Sequence, residues 1–366
     1  MRILLIGEYS NVHATLAEGL RHLGHEVIVI SNGDFWKAYP RDIDTSRPPG
    51  RWGGLRLLTK IYGLLPRLRG FDVVQLINPM FFELKAERLF YLYHYLRKYN
   101  RHVFLGGFGM DWYWVNACVT QKPLRYSDFN IGEKLRSDPD ALRERHDWLG
   151  TAKERLNRLI AEDCDGIITG LYEYWVCYHP AFPKKTAFVP FPIKLPEAKP
   201  LISQHPKVVI FIGINRERSV YKGTDIMLQA AKDVLRRHPQ EMELRIAESV
   251  PFSKYQEMMN SADAMLDQLY SYTPSMNPLL AMSKGIICIG GGEPENYEII
   301  NEHELRPIIN VEPTYESVYH ELEQLVLHPE RIPTLKQQSI AYVQKHHDYL
   351  KVSHQYLDFW SNQSKA

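Results

Sequence analysis

VVIFIGINRERSVYKGTDIMLQAA, residues Val208–Ala231, reads as a buried strand, a short cationic loop and an amphipathic helix. Val208–Ile214 is apolar throughout with no period-two alternation, the pattern of a parallel strand covered on both faces. From Asp225 onward, Met227, Leu228, Ala231, Val234 and Leu235 recur at helical spacing, and Pro239 lies past the last of them. Arg216, Arg218 and Lys222 stand between, with Gly223 opening the helix. Cations at the carboxyl end of a parallel strand, beside helix amides, make a place to hold phosphate. The bland alternative is a loop of surface charges.

The same alternation extends in both directions. Ile3–Ile6, Val27–Ile30, Val73–Ile77, Val103–Leu105, Gly166–Ile168 and Ala187–Val189 are the strands expected before this unit. Thr15–Leu23, Leu84–Tyr99 and Ala141–Glu162 are the helices among them. Pro190, Pro192, Pro196, Pro200 and Pro206 then mark a semi-rigid linker. Beyond Val208–Ile214 come the strands Glu243–Ile246, Ala264–Leu266, Ile286–Ile289 and Ile308–Val311, and a last helical stretch, Ile340–Trp360. Strands alternating with helices imply βαβ units. The expected fold class is therefore α/β, two Rossmann-like, doubly wound parallel-sheet domains facing a central cleft. Residues 1–195 form the first and 200–345 the second, with a terminal helix at about 346–366 packing back on the first.

At 366 residues the chain is long enough for two cores. A net charge of +1 gives no bulk electrostatic case for nucleic acid. Cys118, Cys164, Cys177 and Cys288 have neither CxxC nor His-paired spacing, so a reduced chain without a zinc site or disulfide framework is expected. Met1–Ile6 enters a strand at once and no apolar run approaches the ~20 residues that cross a bilayer. The expectation is a cytoplasmic protein, soluble or peripheral on the inner face of the membrane. Tyrosine is abundant, at 22 copies, and suits either carbohydrate surfaces or ordinary core packing.

Candidate site residues follow the strand ends. After the first strand comes Gly7-Glu8-Tyr9-Ser10-Asn11-Val12-His13, which is not GxGxxG and so speaks against a dinucleotide fold. Ser10 and backbone amides there suit phosphate or sugar hydroxyls, and His13 is either a ligand contact or a satisfied loop histidine. Asn78, after the third strand, is a cleft contact or an Asn-Pro turn residue. Gly106-Gly107-Phe108-Gly109-Met110-Asp111 ends in a carboxylate among rings. Asp111 is a catalytic base or a helix N-cap. Glu248, after the strand Glu243–Ile246, is a base or ribose contact or a solvated charge. Ser275 or Asn277 opens the helix containing Pro278, whose free amides make a second anion site. Gly290-Gly291-Gly292-Glu293-Pro294-Glu295 suits close backbone approach, with Glu295 on ribose or sugar hydroxyls, or is simply a turn.

These pieces together resemble the retaining GT-B glycosyltransferases of the family 4 type. MRILLIG and HATLAEGLRHLGHEVIVIS resemble that family's opening unit, and DCDGIITGLYEYWV with FVPFPI the end of its first domain. IGINRERSVYKGTDIMLQAAKDVL resembles the donor segment in which an Arg and a Lys hold the diphosphate, and LLAMSKGIICIGGGEPENYEII the stretch near the sugar. The resemblance spans about residues 1–350. It implies sugar transfer from a nucleotide diphospho-sugar to a hydroxyl acceptor, a glycan or lipid-linked saccharide, with retention and without a metal. Arg216, Arg218, Lys222 and Asn277 would hold the diphosphate, and Glu248, Ser275, Gly291, Gly292 and Glu295 the nucleoside and sugar. Asp111 and His13 are the base candidates, and bacterial surface-polysaccharide assembly fits the family. The family's two glutamates, eight positions apart, fall at Tyr272 and Leu280 here, so their roles do not carry over.

Arg47, Arg51, Arg56, Lys60, Arg67 and Arg69 occur with no acid until Asp72, interleaved with Trp52, Leu55, Leu57, Leu58, Ile61, Leu64 and Leu65. Such a segment rests on an anionic membrane face or is an ordinary helix with a solvated basic side. Two rival functions remain, a GT-B-fold sugar-nucleotide epimerase and a non-catalytic nucleotide-sugar-binding protein. Nucleotide release with an acceptor separates the first from a transferase, and donor binding without turnover marks the second.

Overall fold

The apolar runs of the first half pair side by side into one parallel sheet of seven strands. A computed structural model describes residues 1–197, 205–248 and 250–363, Phe252 by its backbone alone. The strands are β1 (Arg2–Ile6), β2 (Glu26–Ser31), β3 (Ile43–Asp44), β4 (Val73–Leu76), β5 (His102–Gly107), β6 (Gly166–Thr169) and β7 (Thr186–Phe188). Their order is β3-β2-β1-β4-β5-β6-β7, and β1 is parallel to both neighbours, with Ile3 opposite Val27 and Val73. The order reverses at β1, so the loop leaving β1 lies at a topological switch point.

The second half builds a smaller parallel sheet from β8 (Val208–Ile214), β9 (Met242–Glu248), β10 (Ala264–Leu266) and β11 (Ile287–Ile289). Its order is β9-β8-β10-β11, so β8 occupies the place that β1 holds in the first. Each sheet is buried by its own core, Leu4, Ile6, Val74, Leu76 and Leu105 in one and Ile210, Ile212, Leu266 and Ile287 in the other. The fold is α/β, with two Rossmann-like sheets.

The chain divides into two compact units that trade segments. One holds Met1–Pro123, Glu144–Pro192 and Tyr349–Ala366; the other holds Leu124–Arg143 and Ile193–Asp348. Leu124–Arg143 thus packs with the second sheet although it lies well inside residues 1–195. In the first unit the helix Tyr349–Gln363 packs on Val12–His22. Gly19 permits that approach, since a Cβ there would run into Ser353 Oγ, and Trp360 Nε1 donates to Gln75 Oε1 at 3.2 Å.

Several expected elements are shorter or broken. Ala141–Glu162 is two helices, Pro139–Trp148 and Ala152–Asp163, because Gly150 turns the backbone left-handed at φ +73°. Ile340–Trp360 is likewise interrupted between Ile332–His346 and Tyr349–Gln363, where His347 O accepts the Ile193 amide and Asp348 bridges Ile193. Ile308–Val311 contributes only an isolated bridge, Ile309 to Ile289. Pro200, in the expected linker, and residue 200, the expected start of the second domain, lie outside the described residues, as do residues 364–366.

Candidate functional site

The loop leaving β8 keeps a helix N-terminus open beside cations. Asn215 Oδ1 accepts the Glu217 amide at 3.1 Å, starting the turn Arg216–Arg218 and the short helix Ser219–Lys222. Gly223 then reverses the backbone at φ +72° and begins the helix Thr224–Arg237. Glycine is needed twice over there, because a Cβ would lie 2.5 Å from Leu269 Cβ. No side chain caps Thr224–Arg237, and first-turn amides have no acceptor within their own helix. Lys222 is the residue before that turn, and the Arg218 guanidinium lies 5.0 Å over the Tyr221 ring. Arg216 does not join them. Its guanidinium pairs through both Nε and Nη2 with the Glu248 carboxylate at the end of β9, and its side chain is 77% exposed. The expected phosphate cation Arg216 and the expected base or ribose contact Glu248 are thus partners of each other.

Three further groups reach this loop. Asp267 follows β10, its Oδ2 is buried without a hydrogen-bond partner, and burial pushes its carboxyl up to about 6 against the pull of Lys222. Arg136 donates to Val220 O and Tyr221 O, both at 3.0 Å, and lies 3.8 Å over the Tyr270 ring. Burial raises the Asp128 carboxyl, opposed by a Tyr221 hydrogen bond and by the charges of Arg136, Arg218 and Lys222. Asp267 stood in plain sight, directly after an apolar strand. Asp128 and Arg136 had no local signal, being some eighty residues upstream of the loop they approach.

The helix Met276–Ser283 is open as well. Ser275 occupies its N-cap position in extended backbone without a side-chain cap bond, and Asn277 Nδ2 donates to Tyr255 OH at 2.7 Å instead of capping. The glycine turn is closely packed by its own unit. A Cβ on Gly291 would meet Ser271 and Thr273, and one on Gly292 would meet Ile308. Glu293 and Glu295 are engaged by Arg125, at 2.7 and 2.5 Å, and Tyr126 OH donates to Glu293. Tyr272, at a missing-glutamate position, is buried; its hydroxyl accepts the Arg125 amide at 2.7 Å and its ring lies beside Tyr126. The carboxylates near this turn are neutralised by a cation that sequence reading overlooked.

The loop leaving β1 is closed by contrast. Glu8 is buried, and its carboxylate accepts His13 N at 3.2 Å and Ala14 N at 2.8 Å, so it fills the N-terminus of Val12–His22. Burial pushes that carboxyl up to about 8, against those amide bonds. His13 is fully buried, its Nδ1 sits 2.8 Å from Gly7 O, and desolvation lowers it to about 3, so it stays neutral. Ser10 N donates to Asp34 at 2.9 Å. Asn78 closes a turn, accepting Met80 N and donating to Met110 O. Asp111 caps Trp112–Asn116: one oxygen accepts Trp114 N at 2.9 Å and the other accepts Tyr178 OH at 2.7 Å. Desolvation raises it to about 7. The geometry at Asp111 is therefore that of the helix cap rather than a free base. Among the described residues no cluster of three or more His, Cys, Asp or Glu is placed to hold a metal ion.

No family model matches the chain, and no curated protein matches it. Solved structures do. The chain aligns with HepE of Anabaena, solved with UDP and glucose, at 11% identity over 99% of this chain and 100% of that one, TM-score 0.60. It aligns with WaaG, described as a glycosyltransferase involved in lipopolysaccharide biosynthesis, at 11% identity over 98% and 99%, TM-score 0.55. A protein described as a UDP-N-acetylglucosamine 2-epimerase from Listeria monocytogenes aligns at 9% identity over 97% and 94%, TM-score 0.54. At such identities the likeness is one of fold, and the fold is GT-B.

Proposed function

We propose that the chain transfers a sugar from a nucleotide diphospho-sugar to a hydroxyl acceptor, a glycan or lipid-linked saccharide, with retention and without a metal. The observation that carries the reading is the uncapped helix at Gly223, with Lys222 and Arg218 beside it, at the carboxyl end of β8. Positive charge and oriented amides there stabilise a departing diphosphate as its charge develops. The open start of Met276–Ser283 adds a second set of amides. With Asp111 and Glu8 engaged as caps and His13 buried, the acceptor proton passes to an oxygen of the leaving phosphate. HepE, with UDP and glucose, and WaaG, by its description, support this class. The test is a thermal-shift panel of nucleotide sugars followed by calorimetry on the best binder. Stabilisation by none of them would sink the reading.

The fold match to an epimerase favours a second reading, a sugar-nucleotide epimerase. Stoichiometric release of nucleotide in the presence of acceptor decides for transfer; interconversion of donor sugars without release decides for epimerisation.

The acceptor's setting is proposed to be an anionic membrane face, on the inner side of a cytoplasmic membrane. The helix Gly53–Leu64 buries Leu57 and Ile61 while Trp52, Leu55 and Tyr62 are exposed beside Arg51, Arg56 and Lys60. No helix among the described residues is long and apolar enough to cross a membrane. Wild-type protein should sediment with vesicles rich in phosphatidylglycerol, and replacing Arg51, Arg56 and Lys60 by Glu should abolish it. A wild type that never sediments removes the membrane from the proposal.

A further inference from the structure

We infer that Arg136 is a positioning residue for the diphosphate site: it pins the turn before Gly223, a role that rests on the transferase reading above. It acts on the anion through backbone carbonyls and one ring, and so through the placing of Lys222 and of the amides that follow.

An anion site made of helix amides works best when the backbone before the helix is held still, because preorganised donors lose no freedom as the charge arrives. The short helix Ser219–Lys222 is that backbone, and each of its carbonyls is claimed. Ser219 O accepts Thr224 Oγ1 at 3.5 Å, and Lys222 O accepts Leu269 N at 2.9 Å. The two between them go to Arg136, whose Nη2 donates to Val220 O and to Tyr221 O, both at 3.0 Å. Val220 O also takes the Gly223 amide, at 3.3 Å. Carbonyls at a helix end have no acceptor role inside their own helix, so an outside donor fixes where that end lies. The turn is therefore tied down by its carbonyls, while the amides just beyond it stay uncapped.

The pin is itself firmly held. The Arg136 side chain is only 7% exposed, and Asp138 Oδ2, 3.2 Å from Nη2, balances its charge. Its Nη1 donates to Ser127 O at 3.4 Å. The guanidinium carbon lies 3.8 Å from the centre of the Tyr270 ring, within the range of a cation over an aromatic face. That ring in turn crowds Gly223, where a Cβ would come 2.9 Å from Tyr270 Cε2. Contact thus runs from Arg136 through Tyr270 to the left-handed turn that opens Thr224–Arg237. A planar group that lies on a ring while donating to two successive carbonyls suits Arg; Lys offers the charge without the plane.

The test is calorimetry with UDP on the full chain, accompanied by amide hydrogen exchange and urea unfolding. Arg136→Ala should bind UDP about tenfold more weakly, the scale of one charge-assisted bond put out of place. Its Gly223 and Leu269 amides, whose acceptors lie in the turn, should exchange faster. Ethylguanidinium added to Arg136→Ala should return both towards the wild type, which separates a displaced turn from a damaged fold. Arg136→Lys should fall between the two, and it decides the matter where Arg136→Ala does not fold. A merely structural arginine would lower stability and leave the UDP affinity of the folded variants unchanged, and that result overturns the inference. Wild-type affinity in Arg136→Lys also overturns it, since charge alone then suffices. A wild type that binds neither UDP nor any nucleotide sugar sinks the transferase reading and this role with it. UDP binding equal in the wild type and both variants sinks this role alone.

Discussion

The loops leaving β1 and β8 occupy the same place in two copies of one topology, yet one helix N-terminus is filled and the other is open. After β1, the helix N-terminus is filled by the chain's own carboxyl group, Glu8, accepting His13 N and Ala14 N. After β8, the helix Thr224–Arg237 has no side-chain cap, and Lys222 and Arg218 stand by it. A strand–loop–helix turn is an anion site only while its amides are unclaimed. Both loops contain an acid, and its placement makes the difference: Glu8 is buried on the amides of its helix, whereas Glu217 is exposed.

The largest expected effect breaks the open side. Arg218→Ala with Lys222→Ala should weaken UDP binding by about 3 kcal/mol or more, two charge-assisted bonds at about 1.5–3 kcal/mol each. Calorimetry reads it, and unchanged affinity would show that the diphosphate sits elsewhere. Stability should barely move in that variant.

Glu8→Ala tests the closed side and should do the reverse. Loss of a buried helix cap should cost about 1–2 kcal/mol in denaturant unfolding and leave UDP affinity alone. A loss of nucleotide affinity without a loss of stability would invert the comparison.

Protonation sharpens it further. The Glu8 carboxyl is raised in the folded state from 4.5 to about 8 by burial. Its stability contribution is therefore fully present below the ordinary carboxylate value and is lost as pH rises towards about 8, since the unfolded chain gives up its proton first. Stability of the wild type should fall between about pH 5 and pH 8 more steeply than that of Glu8→Gln, measured by urea unfolding. Equal slopes would mean that Glu8 is not held protonated. Asp111, raised by desolvation to about 7, leaves a residual slope in both proteins.

Arg216→Ala should do least. Its guanidinium is exposed and paired with Glu248, so UDP affinity should stay within about twofold. A larger loss would return Arg216 to the phosphate site.

Much of this was legible in the chain. Continuous apolar runs such as Val208–Ile214 reveal strands covered on both faces, because burial on two sides admits no polar residue. Strand ends then locate Lys222 and Ser275 without any knowledge of contacts, because a parallel sheet places its loops at one edge. The same rule applied to the residue directly after Ala264–Leu266 gives Asp267, which was passed over. Breaks inside helical patterns were less legible: one left-handed glycine, Gly150, ended a helix that periodicity alone continued.

What local sequence determined, then, was the order of strands and helices and the charges near each strand end, since both follow from side chains a few residues apart. Partner choice was settled by the folded chain. Whether Arg216 faces a phosphate or Glu248, whether Asp111 is a base or a cap, and whether Glu293 and Glu295 face a sugar or Arg125 depend on residues 32 to 170 positions away. Leu124–Arg143 makes the point most sharply: its pattern belongs to the first half, but Arg125 and Arg136 have their partners in the second. A charge takes the partner that folding brings to it, and burial sets the strength of that choice.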